Sequence, residues 1–335
     1  PNGWQQLEVS KIVDVVGGAT PSTADSLYWS NGSIPWATPT DITANNSKYI
    51  SKTEAYITQA GLDACAAKLL PKGAILFTSR ATIGAKAIAA IPMATNQGFA
   101  NFVPREILTD YLYYLLDLLT PIFKRLGSGT TFDEVSKRDI RKVWCAIPRQ
   151  SREQDAIAHI LDALDKVIEQ IRESIERERD VKKSLVQQLF ERGLRGEPLH
   201  KTTIGLIPKS WNVVPLRSVV IEFQYGLSIE MGTKGKYPIL RMGNIQDAEV
   251  LLDDLKYVDL PSHIAGKYLL KMGDVLFNRT NSQEHVGKIG IYRSGEKAVF
   301  ASYLIRLIPD EAQIDRYFLG QLLASYPAQC RIKRY

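Results

Sequence analysis

This sequence has few cysteines and no long hydrophobic run. Its 335 residues contain three cysteines, Cys65, Cys145 and Cys330, which lie far apart and form no CxxC pair. An odd, scattered set of cysteines argues against a disulfide framework and gives no zinc-binding pattern. No run of about 18 apolar residues is present, so no membrane-spanning helix is expected. We therefore expect a protein of the reducing cytoplasm.

The sequence also lacks the common motifs of catalysis. It has no GxxxxGK[ST] phosphate loop, no HExxH zinc motif, no GxGxxG after a predicted strand and no [DN]PP[YFW] tetrapeptide of the amino-methyltransferases. The glycine-rich stretch 127–131 has no lysine and is interpreted as a turn. DDLKY (253–257) brings two acids near a lysine, as in some metal nucleases, but such clusters are common on protein surfaces. We expect no catalytic residue and no metal or cofactor bound by this chain.

Charge is distributed unevenly along the chain. The protein has 42 Lys and Arg against 36 Asp and Glu, a net charge of +6. Residues 151–192 carry a net charge of −2, so the remainder of the chain carries +8. An excess of positive charge outside this segment favours an anionic partner such as nucleic acid.

The chain contains an internal repeat. Trp4 aligns with Trp211, and KGAILFTSR (72–80) aligns with MGDVLFNR (272–279). Further matches keep the same order, at offsets between 200 and 207 residues. A duplicated module explains this self-similarity, and the variable segments between the matches are predicted to be loops, in which two copies acquire different specificities.

Each copy has the pattern of an α+β domain. AILFTS (74–79) and DVLFNR (274–279) are predicted strands that end in polar turns, whereas residues 109–126 and 314–326 have helical spacing. We predict a curved, mostly antiparallel sheet with a helix near its end in each copy.

A long helix is predicted between the two copies. Residues 151–192 contain no Gly or Pro, and we expect Ser151 as the N-cap and Gly193 as the C′ residue. Apolar residues recur there at the a/d spacing of a coiled coil. The predicted helix-pairing and subunit-docking residues are Ile157, Leu161, Leu164, Ile168, Ile171, Ile175, Leu185 and Leu189. We expect a longer native protein to supply a second, antiparallel helix; packing of this helix against its own domain is the alternative.

Polar loops in both copies carry side chains that can read DNA bases. Arginine pairs with guanine, and Asn or Gln pairs with adenine, through two hydrogen bonds in the major groove. The predicted DNA-binding residues are Thr78, Ser79, Arg80, Thr82, Lys86, Asn96, Gln97, Arg241, Asn244, Asn278, Arg279, Asn281, Gln283 and Lys288, with Lys48, Lys52 and Lys267 as further phosphate contacts. For each of them, an ordinary solvated loop or a side chain that stabilises a turn is the alternative.

These features resemble the specificity subunit of type I restriction–modification systems. The resemblance covers nearly the whole chain and is most specific in residues 127–169 and 202–211. The stretches that carry it are LPKGAILFTSRATIG (70–84), ATNQGFANFVP (94–104), GSGTTFDEVSKRDIRKVWCAIP (127–148), REQDAIAHILDALDKVIE (152–169) and TTIGLIPKSW (202–211).

The resemblance implies two target recognition domains, a long spacer helix after each, and an asymmetric, bipartite double-stranded DNA site. It implies a non-catalytic subunit that binds methyltransferase subunits, expected to number two, and restriction subunits. S-adenosylmethionine and ATP with Mg would be bound by those partners. The recognition portion of a fused restriction–methylation enzyme, and a coiled-coil adaptor that binds only proteins, are the alternatives.

The predicted domains follow from this resemblance. They are target recognition domain 1 (1–149), the spacer helix (150–193), a linker (194–210) and target recognition domain 2 (211–335), which is incomplete at its C-terminus and lacks the second spacer helix.

Overall fold

The computed structural model describes residues 3–127 and 133–333. The chain divides into two compact units between Arg172 and Glu173. This division falls inside the longest helix, so each unit is described separately.

The first unit contains ten strands and four complete helices among its described residues. The strands are β1 (Trp4–Glu8), β2 (Val13–Gly17), β3 (Ile34–Ala37), β4 (Tyr49–Ile50), β5 (Ala55–Ile57), β6 (Ile75–Phe77), β7 (Lys86–Ala89), β8 (Ala94–Thr95), β9 (Ala100–Pro104) and β10 (Trp144–Pro148). The helices are α1 (Pro39–Ala44), α2 (Gln59–Asp63), α3 (Thr109–Gly127) and α4 (Lys137–Lys142), and the long helix α5 (Ser151–Arg192) begins here.

The main sheet of the first unit has five strands in the order β2-β9-β6-β7-β4. Only β4 pairs in parallel, with β7. A second sheet has the order β5-β3-β8, and β1 pairs with β10. The central strands are apolar at consecutive positions because both faces of the main sheet are covered. Helix α3 covers one face, and its leucines at helical spacing pack there with Phe77 and Phe102.

A helix–strand segment closes the edge of the main sheet. Helix α4 packs beside β2, and Arg141 Nη2 donates a hydrogen bond to the Val15 carbonyl. The Val9 amide donates to the Val143 carbonyl over 2.9 Å. Ile140 is fully buried in the same core cluster as Val9. We call residues 133–148 the cover segment.

The second unit repeats this architecture. Its strands are β11 (Leu199–Thr202), β12 (Gly205–Pro208), β13 (Val220–Tyr225), β14 (Tyr237–Leu240), β15 (Ile245–Gln246), β16 (Ala248–Val250), β17 (Lys256–Val258), β18 (Val275–Asn278), β19 (Ile289–Ile291), β20 (Val299–Phe300) and β21 (Leu304–Pro309). Its helices are α6 (Ser262–Tyr268), α7 (Arg316–Ala324) and α8 (Tyr326–Ile332). The sheets have the orders β13-β21-β18-β19-β16-β15 and β17-β14-β20.

The two units share their strand order and their turns. Strands β13, β21, β18, β19 and β16 take the places of β2, β9, β6, β7 and β4. Before β6 and β18, Gly73 and Gly273 adopt φ of +88° and +89°, a backbone conformation that glycine accepts without strain. The predicted duplication and the predicted α+β class are therefore confirmed.

Helix α5 spans 42 residues, from Ser151 to Arg192. Its first residue is Ser151 itself, and the amides of Glu153 and Gln154 donate to the Gln150 carbonyl. The cap therefore lies one residue before the predicted Ser151. Gly193 ends the helix as predicted, with φ of +62° and its amide bonded to the Leu189 carbonyl. Among the described residues, no helix is long and apolar enough to cross a membrane.

The eight residues predicted for helix pairing and subunit docking, which we call the seam of α5, fall into two groups. Ile157 is partly buried against the core of the first unit, beside the buried Ala158, and its assignment to helix pairing stays a prediction. Leu161 is half-buried. The remaining seam residues are 43–54% exposed: Leu164, Ile168, Ile171, Ile175, Leu185 and Leu189. The start of α5 thus packs on its own unit, whereas most of the seam stays open.

Candidate nucleic-acid interface

The loop between β6 and β7 forms the first part of the candidate interface. The Thr78 hydroxyl accepts a hydrogen bond from the Ala85 amide, 3.0 Å away, and the Ser79 amide donates to the Gly98 carbonyl over 2.8 Å. Both side chains are buried. These two side chains support the shape of the loop, and their assignment as DNA contacts stays a prediction.

Arg80 lies in the exposed part of this loop. Its Nε lies 2.7 Å from Glu134 Oε1, and 47% of its side chain is exposed. Ala81 holds a left-handed φ of +56°, and its amide donates to the Asp133 carbonyl. Thr82 is also exposed. Both predicted residues remain placed where a large partner can reach them.

A second loop, between β8 and β9, lies beside the first. Asn96 Oδ1 accepts from the Gly98 amide over 2.9 Å, so this side chain stabilises a turn and is only half-exposed. Gln97 is exposed, and its Oε1 accepts a hydrogen bond from Thr20. A Cβ atom at Gly18 would lie 2.1 Å from the Asn96 carbonyl oxygen, so the chain passes this loop closely only because Gly18 has no side chain.

Sequence reasoning missed three residues of this region. They are Thr20, which bonds Gln97; Glu134, which pairs with Arg80; and Lys137, an exposed cation beside Gly17. Two of them belong to the cover segment, which the sequence resemblance had marked as specific. No pattern within that segment indicated which loop it contacts.

Two predicted phosphate-binding lysines are engaged elsewhere. Lys86 pairs with Asp117 and lies 4.2 Å from the ring centroid of Tyr113. Lys48 Nζ lies 2.8 Å from Asp110 and 2.6 Å from Asp162. Both lysine side chains are largely buried. To bind a phosphate, each would have to exchange an internal ion pair, and their assignment to phosphates stays a prediction. Lys52 is exposed.

Lys48 belongs to a polar cluster that holds the start of α5 against the first unit. The Tyr114 hydroxyl oxygen lies 2.7 Å from a carboxylate oxygen of each of Asp162 and Asp165, and these two acceptors share its single proton. Burial disfavours the charged form of Asp162, but its hydrogen bonds with Lys48 and Tyr114 outweigh burial and lower the pKa of this carboxyl. Burial likewise opposes the charge of Lys48, and its bonds to Asp110 and Asp162 still raise the pKa of the amine.

In the second unit, the equivalent loop follows β18. Asn278 is buried and donates from Nδ2 to the Met242 carbonyl over 3.1 Å. Asn244 is also buried, and its amide group bonds the Asp253 carbonyl and the Arg241 amide. Both asparagines stabilise loops, as Thr78 does, and their assignment to DNA stays a prediction.

Two other predicted cations of the second unit have internal partners. Arg241 Nη2 lies 2.9 Å from Asp254 Oδ2. Lys288 Nζ lies 3.2 Å from His285 Nδ1 and 3.7 Å from Glu284 Oε1. Their side chains are about one third exposed or less. These contacts compete with base contact by Arg241 and phosphate contact by Lys288, and both assignments stay predictions.

Arg279 is exposed and stacks on an aromatic ring. Its guanidinium carbon lies 5.1 Å from the ring centroid of Tyr225. Its amide donates to the Tyr303 carbonyl, as the Ser79 amide does to Gly98. Asn281 and Gln283, further along this loop, are exposed. Lys267 is exposed on α6. The residues that remain as base-reading candidates are Arg80, Thr82, Gln97, Arg279, Asn281 and Gln283, with Asn96 half-exposed.

The chain belongs to the type I restriction–modification specificity family: the family model "Type I restriction modification DNA specificity domain" matches residues 1–177. It is 35% identical over 231 residues to the MjaIX specificity subunit of Methanocaldococcus jannaschii, covering 66% of this chain and 52% of that protein. It is 30% identical over 185 residues to the EcoR124I/EcoR124II specificity subunit of Escherichia coli, covering 52% and 44%. The chain spans about half the length of these curated relatives.

Two solved structures share the fold. The S subunit from M. genitalium matches 100% of this chain and 80% of its own, with a TM-score of 0.51 and 17% identity. A second structure, described as the basis of complex assembly and conformational transition of the type I R–M system, matches 96% and 79%, with a TM-score of 0.52 and 18% identity. At these identities the comparison establishes the fold alone.

Proposed function

We propose that this chain is the DNA-reading part of a type I specificity subunit. One observation carries the proposal: two units of the same topology each present an exposed arginine in the loop after equivalent strands, Arg80 after β6 and Arg279 after β18. Arginine is the commonest residue to pair with guanine in the major groove. Exposed Gln97 and Asn281 add groups suited to adenine.

The duplication favours a bipartite site. Units of one fold with different loop residues can read different base sequences, as Arg80 with Gln97 differs from Arg279 with Asn281 and Gln283. Because the two units are unlike in these loops, the two halves of the site are expected to be unlike as well. An asymmetric site with an unspecified gap follows.

The exposed seam of α5 supports a second part of the proposal, the docking of partner subunits. Leu164, Ile168 and Ile171 are each about half exposed, although they are large and apolar. Rows of such side chains on a helix mark an interaction surface. We assign this surface to helix pairing and to methyltransferase subunits, expected to number two, with restriction subunits joining them. S-adenosylmethionine and ATP with Mg would be bound by those partners, and this chain would be non-catalytic.

The proposal is tested by selecting duplexes from a random library with the full chain and measuring their affinity at several salt concentrations. We expect an enriched sequence in two separated blocks and an affinity that falls steeply with salt, since phosphate contacts release counterions. A coiled-coil adaptor for proteins would enrich no sequence and bind no duplex. The Arg80→Ala/Arg279→Ala double variant serves as the control, because it should retain folding and lose enrichment.

A further inference from the structure

We infer that Glu134 is a positioning residue that holds Arg80 in place for guanine. This inference deepens the proposed function and rests on it. The pair is close, with Nε of Arg80 2.7 Å from Oε1 of Glu134. Glu134 belongs to the cover segment, 54 residues further along the chain, so the contact is made by tertiary folding.

The backbone fixes both partners of this ion pair. The Val135 amide donates to the Ser79 carbonyl over 3.0 Å, and the Ala81 amide donates to the Asp133 carbonyl over 3.0 Å. Arg80 and Glu134 therefore face each other as an antiparallel bridge. Ser79 and Val135, the neighbours of the pair, are buried and anchor the two backbones. The carboxylate is thus in place before any ligand arrives.

The geometry of the pair leaves the reading edge of Arg80 available. A guanidinium has one Nε–H and two terminal NH₂ groups, and a pair of these donors can bond guanine O6 and N7 together. Glu134 takes the Nε side. Within residues 3–127 and 133–333, Glu134 is the acidic partner of Arg80, and the shortest distance of the pair is to Nε. A guanidinium restrained at Nε loses less freedom when its terminal nitrogens bind a base.

The Glu134 carboxylate also has a second effect, which is unfavourable for binding to any duplex. Its negative charge lies beside the arginine and repels phosphates, so it weakens sequence-independent affinity. Positioning strengthens specific binding, and repulsion weakens non-specific binding. Repulsion acts on every duplex by about the same factor, so it is the positioning of Arg80 that raises the ratio of specific to non-specific affinity, the quantity that matters for recognition.

The Glu134→Gln variant separates these effects. The experiment compares four proteins: the wild type, Glu134→Gln, Arg80→Ala and the double variant. Each is titrated with three duplexes. The first is the duplex selected by the wild type, the second is that duplex changed at the base pair read by Arg80, and the third is an unrelated duplex. We expect Glu134→Gln to bind the unrelated duplex more tightly, with a salt slope more negative by about 0.9. We expect its specificity ratio to fall about fivefold or more, the lower range for one paired base contact.

The controls distinguish positioning from simple charge and from folding. Glu106→Gln makes the same charge change beyond the C-terminal end of β9, whereas the loop that contains Gln97 precedes this strand. Glu106 is exposed, and its replacement should leave the specificity ratio unchanged. In the Arg80→Ala background, adding Glu134→Gln should lower the ratio no further. Equal thermal midpoints for the variants would show that folding is intact.

Two results would overturn the inference. If Glu134→Gln strengthens binding to all three duplexes by one factor, Glu134 only repels DNA. If it weakens all three by one factor, Glu134 only supports the loop. Both results leave the proposed function standing, whereas a wild-type protein that prefers no duplex would remove the proposed function itself.

Discussion

In the residues that the structure describes, the two units have main sheets of the same strand order but differ at the sheet edge. Val9 is 1% exposed in the first unit, and Leu216, which takes its place before the edge strand, is 37% exposed. Val15 in β2 is 3% exposed, and Phe223 in β13 is 43% exposed. Val15 pairs with Phe102 and Phe223 pairs with Leu307, so the two residues hold the same position in the sheet. The difference therefore reflects what covers the edge.

The cover segment accounts for the difference. In the first unit, α4 packs beside β2, residues of α4 and β10 join the core that contains Val15, and Glu134 at the start of this segment also pairs with Arg80. Within the described residues, no equivalent segment lies against β13. There, the guanidinium of Arg279 lies over the ring of Tyr225, and no carboxylate in the part of the chain that the structure describes pairs with it. One segment thus supplies both a stabilising cover and an arginine partner in the first unit.

The largest contrast is expected in stability. Ile140→Ala removes a fully buried side chain of the cover segment and should lower the free energy of unfolding by about 2–5 kcal/mol. Ile221→Ala, on the exposed edge of the second unit, should change it by about 0.5 kcal/mol or less. Urea unfolding measures both. Equal losses would contradict the difference in cover.

The next contrast concerns recognition. Arg80→Ala and Arg279→Ala should each relax discrimination in one half of the site by about 1–3 kcal/mol and leave the other half unchanged. Selection from a library randomised in both halves measures this. If either variant relaxes both halves equally, the arginines do not serve separate half-sites.

A smaller effect is expected on assembly. Replacing Leu164 and Ile168 with Ala should weaken the free energy of binding to the proposed methyltransferase partner. The expected loss is about 1 kcal/mol or more for each side chain at the centre of the contact. Co-purification with that subunit should decrease accordingly. Unfolding should change little, because both side chains are about half exposed. Lys183→Ala, an exposed polar change on the same helix, is the control. Unchanged co-purification of the double variant would exclude this surface as the docking site.

The smallest effect concerns pH and is confined to the first unit. Hydrogen bonds with Lys48 and Tyr114 outweigh burial and lower the pKa of Asp162, so this carboxylate stabilises the fold above its unfolded pKa of about 4. That stabilisation is lost as pH falls through the lower, folded pKa. At pH 7, Asp162→Asn should lower the free energy of unfolding by less than about 1 kcal/mol, because the group is partly exposed. A small decrease in the thermal midpoint would report this loss. A difference that persists unchanged in strong acid would contradict this account.

The sequence predicted the repeat and the long helix because both depend on local or periodic patterns. A 42-residue segment without Gly or Pro, ended by Gly193, has few alternatives to a helix. The matched residues around Gly73 and Gly273 likewise mark the same turn twice. These features need no knowledge of tertiary contacts.

The candidate site was harder to predict, because one residue type serves two purposes. Buried Thr78 and Asn278 stabilise turns, and exposed Thr82 and Asn281 can reach a ligand, yet all four occur in similar polar loops. Only the fold separates them. Lysines posed the same problem. Lys48 pairs with Asp162, which lies 114 residues further along the chain, and no local pattern indicates this contact.

The central claim is that each unit binds its own half of one duplex. A hydroxyl-radical footprint of the full chain on its selected duplex tests this claim most directly. We expect two protected segments separated by accessible bases, with Arg80→Ala losing protection in one segment and Arg279→Ala in the other. A single continuous footprint that both variants abolish as a whole would contradict the account.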